Sequence, residues 1–184
     1  RSPKHELEVS NLVKKPACPI LLIPDRAGYA IRKIGVPVDF SDLSKKALLE
    51  AKGLADATEA ELIGFHSFQL PSGYHKSGKG RTEFIEVMEE NAKKEAAYFL
   101  KDIQGVTMEY QHQDSGSPAV SVLKFAEDHD IDCLVLGSKG RTAAASAVLG
   151  SVAQEVIEET YDIPILIVKE HKQSMGLFDT LKKL

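Results

Sequence analysis

The chain has no tryptophan, two cysteines and only 7% aromatic residues. Two thiols cannot staple a small secreted scaffold. Cys18 and Cys133 both stand in apolar, strand-like runs, so they are expected to be small buried hydrophobes in a reducing cytoplasm. The six histidines are scattered, without the short spacings of a zinc site. No apolar run approaches the ~20 residues of a membrane span, and residues 1–15 are too polar to carry the core of a secretory signal. Charge of one sign is not in excess, because the formal net charge is only −4. That balance argues against a nucleic-acid or anionic-membrane partner. What remains is a 184-residue chain with 43% hydrophobic residues, enough for one ordinary globular core.

The most informative stretch runs from Val135 to Val152. Cys133-Leu-Val-Leu136 is a short apolar run after an acidic turn, the pattern of a buried parallel strand. Gly137 and Gly140 follow at once, and Gly150-Ser151 closes the stretch. Ser151 is a favourable N-cap with Gln154 three positions on, a capping box. Val152, Val156 and Ile157 share one face of the helix that this cap opens. The prediction is a strand ending in a glycine loop, with a helix N-terminus aimed back at it. Free N–H groups and the positive dipole end of such a helix hold anions, and glycines let the backbone come close. Lys139 and Arg141 would neutralise phosphate oxygens. The plainer alternative is a tight strand–helix connection with solvated basic residues.

The rest of the chain alternates strand and helix patterns. Ile31–Val38 reads as a strand that ends at Asp39 and Ser41, followed by a helical stripe of Ala47, Leu48, Ala51, Leu54 and Ala55. Asp39 and Ser41 also read simply as helix caps. Glu61–Phe68 is the next strand, and His66 at its end is read as a rim histidine without a catalytic role. A long helix is expected over Thr82–Ile103, with Ile85, Met88, Ala92, Ala96, Phe99 and Ile103 inward and its charges solvated. Val106–His112 alternates like a strand near a sheet edge, and Ser117-Pro118 opens another helix. Ile163–Val168 is the final strand. This order predicts an α/β fold, a doubly wound parallel sheet with helices on both faces. One decoy interrupts it: Gly73-x4-Gly78-Lys79 is most of a P-loop, but Gly80 stands where a Ser or Thr hydroxyl should bind Mg²⁺. The loop is read as a basic flap.

Gly137-x2-Gly140-x9-Gly150-Ser151 resembles the ATP-binding signature of the universal stress protein family, and the resemblance extends from about Ile31 to Val168. It implies a Rossmann-like, five-stranded parallel sheet in the order 3-2-1-4-5. It also implies an adenosine site framed by Pro37, Val38, Asp39 and Ser67. Leu136, Gly137, Gly140, Gly150, Ser151 and Val152 would hold ribose and phosphates, with Arg141 adding charge. The implied ligand is ATP, with Mg²⁺ carried on its phosphates. The implied setting is a cytoplasmic stress-response binding module. Slow ATP hydrolysis or nucleotidyl transfer, and a nucleotide-free dimerisation module, stay open as alternatives.

The chain also repeats itself. With Pro19 set against Pro164, Cys18-Pro-Ile-Leu-Leu-Ile23 matches Ile163-Pro-Ile-Leu-Ile-Val168. Residues 1–30 are therefore expected to be the tail and last strand of a preceding repeat, with a linker, before a domain over 31–169. The last strand of that domain is expected to pair antiparallel with another such domain, and Cys18–Ile23 is a candidate partner. Residues 170–184 form a tail with a small apolar face at Met175, Leu177, Phe178, Leu181 and Leu184.

Overall fold

The computed structural model describes residues 13–14, 16, 18–25, 30–78, 80–141, 149–160 and 162–169. Expectations for residues 1–12, for Lys79 and for the tail 170–184 lie outside them. The elements are β1 (Ile20–Leu22), β2 (Lys33–Pro37), α1 (Asp42–Thr58), β3 (Glu61–Phe68), α2 (Arg81–Phe99), β4 (Thr107–His112), α3 (Pro118–Asp128), β5 (Cys133–Gly137), α4 (Ser151–Glu159) and β6 (Ile165–Val168). A short 3₁₀ turn spans Tyr74–Ser77.

The sheet order is β1-β6-β5-β2-β3-β4. Five of these strands run parallel, in the expected order. The expectation of a five-stranded, wholly parallel sheet is corrected: β1 adds a sixth strand, antiparallel to β6. Its register pairs Ile20 with Ile167 and Leu22 with Ile165. Because the central strands are covered on both faces, their apolar side chains alternate between two cores. Leu134 and Leu136 face the core under α3 and α4, where Phe65 stacks on Phe125 at 4.4 Å. Cys133 and Val135 face the core under α1. Gly35 leaves room for that packing, since a Cβ there would lie 3.0 Å from the Phe125 ring.

Local signals placed the starts of α1 and α3. Ser41 accepts the Ser44 amide at 3.1 Å and starts α1, and Ser117 caps α3 ahead of Pro118. Three local expectations fail. The capping box at Ser151 is absent: Gly150 is the N-cap, and the Gln154 side chain donates to Glu158 instead. The long helix stops at Phe99, and Ile103 reaches the core through a turn in which its amide donates to Leu100 O. Cys18 is exposed, whereas Cys133 is buried, with its thiol pushed up to about 12 by burial and by neighbouring Asp132. On the far side of β6, buried Lys169 donates to the carbonyl of Val13 at 2.6 Å, tying the N-terminal segment to the sheet.

Candidate functional site

The C-terminal ends of β2, β3 and β5 open into a cleft of about 680 Å³. It lies where β2 adjoins β5, the point from which the connections run outward in opposite directions. Each residue that the family resemblance assigned to a nucleotide lines it. Pro37, Val38 and Asp39 come from the end of β2, and Ser67 from β3. Leu136, Gly137, Gly140 and Arg141 come from β5 and its loop, and Gly150, Ser151 and Val152 from the start of α4.

Asp39 organises the junction. Its Oδ1 accepts the Ser41 hydroxyl at 2.6 Å and the Ser41 amide at 3.1 Å, while Oδ2 accepts the amide of Arg141 in the glycine loop. Burial would raise its pKa, but the Ser41 hydroxyl and the Arg141 and Ser41 amides outweigh that and hold it below the ordinary 3.8. Asp39 is thus an ionised tether joining β2 to a loop about a hundred residues later. The turn after it passes through Phe40, a non-glycine residue at φ 62°. The Phe40 ring rests on His66 at 4.5 Å and edge-on to Phe99 at 5.5 Å. The His66 Nδ1–H donates to Val38 O at 2.7 Å. Burial pushes the His66 pKa below 6.5 despite that hydrogen bond and nearby Glu95, so the ring is neutral at pH 7.

The loop glycines serve close approach rather than unusual dihedrals, since Gly137, Gly140 and Gly150 are not among the positive-φ residues. A Cβ at Gly140 would lie 2.9 Å from Asp39 Oδ2. One at Gly150 would lie 3.3 Å from Lys139 Cα and 3.5 Å from Gly140 N. The two ends of the loop are also stitched to each other and to the sheet. The Gly150 amide donates to Ser138 O at 2.6 Å, and the Ser138 amide to Val168 O at 2.8 Å. The first backbone bond of α4 runs from Gln154 N to Gly150 O. The amides of Ser151, Val152 and Ala153 precede it, and all three residues line the cleft, the arrangement that holds an anion at a helix start.

Residues that the sequence reading left out complete the wall. Met88, Asn91, Ala92 and Glu95 recur on one face of α2 and line the cleft, and so does Gln113 just after β4. Glu95 had been taken as part of a solvated face. It is exposed as expected, and it also sits 3.7 Å from the Arg141 guanidinium, an ion pair across the cleft mouth between two exposed partners. Its signal was the i, i+3, i+4, i+7 spacing with the predicted inward residues Met88 and Ala92.

The model of the universal stress protein family matches residues 30–169, and the chain belongs to that family. Universal stress protein MJ0531 of Methanocaldococcus jannaschii is 31% identical over 147 residues, covering 77% of this chain and 84% of the relative. The solved structure of MJ0577, a protein of the same organism, superposes with a TM-score of 0.63 at 26% identity, covering 78% of this chain and 99% of that one. A universal stress protein solved in complex with cAMP shares the fold, with a TM-score of 0.51 at 22% identity over 78% of this chain and 99% of that one. Among the described residues, no helix is long and apolar enough to cross a membrane.

Proposed function

We propose that this domain is an ATP-binding regulatory module of the stress-response type. The observation that carries the reading is the close-packed loop at Gly140 and Gly150, where a Cβ would lie 2.9 Å from Asp39 Oδ2 or 3.3 Å from the Lys139 backbone, set against the start of α4. Phosphates would lie against the Ser151, Val152 and Ala153 amides, with Lys139 and Arg141 on the cleft wall. The adenosine would lie toward Val38 and Ser67. Mg²⁺ would arrive on the phosphates. A family member solved with cAMP supports looking among nucleotides for the ligand. The side chains nearest the chemistry favour binding over turnover. Both Asp39 carboxylate oxygens are committed, to Ser41 and to the Arg141 amide, so this side chain is not poised as a general base.

The described strand Ile20–Leu22 is consistent with the last strand of a second, equivalent domain. The two copies of the Pro-Ile-Leu segment pair with each other in a self-symmetric register: Leu21 meets its counterpart Leu166, and each flanking residue meets the other's opposite flank. That is the contact expected between two equivalent domains, in one chain or in a dimer.

The test is to denature purified protein, identify any released nucleotide, and titrate Mg-ATP into the emptied protein by calorimetry. Co-purified ATP or stoichiometric binding, lost in Gly150→Val, supports the reading. Failure to bind ATP in the folded, emptied protein overturns it.

A further inference from the structure

The turn from β4 to α3 is built around one side chain. The Gln113 amide nitrogen donates to Ser115 O and to Ser117 O, each at 2.9 Å. Both acceptors are carbonyls, which cannot donate, so the nitrogen end of the amide must face them. The nitrogen carries two protons and both are used. The Gln113 backbone amide donates to Phe68 O at 2.8 Å, which fixes its position beside the end of β3. Gly116, at φ +96°, completes the turn, and a Cβ there would approach Gln113 Nε2 to 3.2 Å. Ser117 is held in turn by its hydroxyl donating to Glu155 Oε1 of α4 at 2.5 Å. Both side-chain amide protons of Gln113 are therefore spent, and what its side chain can still offer is the carbonyl oxygen, an acceptor.

Gln113 also lies in the wall between two cavities. It lines the main cleft on the β3–β4 side, away from the glycine loop, and it lines a smaller polar cavity of about 260 Å³ beyond. Under the nucleotide reading above, on which this inference rests, that side of the cleft receives the base. We infer that Gln113 is a specificity-determining residue for the base. As a fixed acceptor it favours a base with an exocyclic amino group, such as adenine, over a base with an oxo group at the same position. An oxo group would set two acceptors against each other and leave both without a donor. Gln69 lies next to it and spends one amide proton on Gly116 O at 3.1 Å, which keeps one donor and makes it the less selective of the two.

The experiment compares Mg-ATP with Mg-ITP, in which the 6-amino group is replaced by oxo, by calorimetry on the full chain. Wild type is expected to bind ATP tighter by about tenfold or more, the scale of one satisfied hydrogen bond against one repelled. In Gln113→Leu the ratio should fall to within about twofold. Loosening of the turn would weaken both nucleotides together and leave the ratio readable. Equal affinities in wild type would overturn the inference while leaving nucleotide binding intact. A ratio preserved in Gln113→Leu would overturn it too, by assigning base reading elsewhere. Binding of neither nucleotide would overturn the nucleotide reading itself.

Discussion

Two loops of this domain look alike on paper and are built in opposite ways. Each leaves the C-terminal end of a strand, carries glycines and basic residues, and enters a helix whose N-cap is glycine. In the loop from β5 to α4 the glycines have ordinary dihedrals and are crowded by backbone and by Asp39. In the loop from β3 to α2, Gly73 and Gly78 have φ of +87° and +75°, and a Cβ at Gly78 would meet nothing within 4 Å. The first set of glycines makes space for close approach, and the second turns the chain. A glycine count cannot separate the two cases, whereas asking what the missing Cβ would touch does.

The largest effect should come from exchanging side chains into both loops. Gly140→Val forces a side chain into Asp39 and should weaken Mg-ATP binding by at least about 100-fold, read by calorimetry. Gly78→Asn keeps a residue type that tolerates positive φ and should leave affinity within about twofold. Equal losses in the two variants would erase the distinction.

An intermediate effect is expected at the carboxylates that serve each loop. Asp39→Asn removes a charge that accepts several hydrogen bonds and should cost about 2 kcal/mol of stability by denaturant titration. Asp114 pairs with Arg81 beside the other loop, with both side chains largely exposed. Asp114→Asn should cost less than about 1 kcal/mol. A reversed ranking would show that the Arg141 tether is not what holds the glycine loop.

The smallest effect concerns pH. His66 is held neutral by burial, with its folded pKa below its ordinary 6.5. The unfolded chain therefore takes up the proton first. The stability contribution is complete above pH 6.5 and declines as pH falls from there toward the folded pKa. Melting curves between pH 7.5 and 5 should show this decline, and His66→Asn should flatten it. An unchanged slope in the variant would assign the decline to other groups.

Much of the fold was legible because it rests on short-range signals. Glu61–Phe68 forms a strand with the predicted bounds, and Ser41 and Ser117 start helices as their chemistry requires. Ser151 failed as a cap because the amide of Gly150 is drawn to Ser138 O, which places the glycine itself at the cap position. Cys18 was misread because an apolar neighbourhood in sequence does not establish cover, and the segment ends at an edge strand. Glu95 and Gln113 were missed for a different reason. Their roles depend on partners supplied by other elements: Arg141 from the glycine loop for Glu95, and the turn carbonyls with the adjoining cavity for Gln113.

Periodicity and glycine spacing were enough to specify the strand–helix alternation and a glycine loop running from β5 to the start of α4, since each depends on contacts within a few residues. Whether Asp39 is a free ligand or an internal tether could not follow from those signals. Its partner, the amide of Arg141, reaches it only when β2 and β5 lie side by side. The same holds for the orientation of the Gln113 amide, which is set by the carbonyls around it rather than by its own identity.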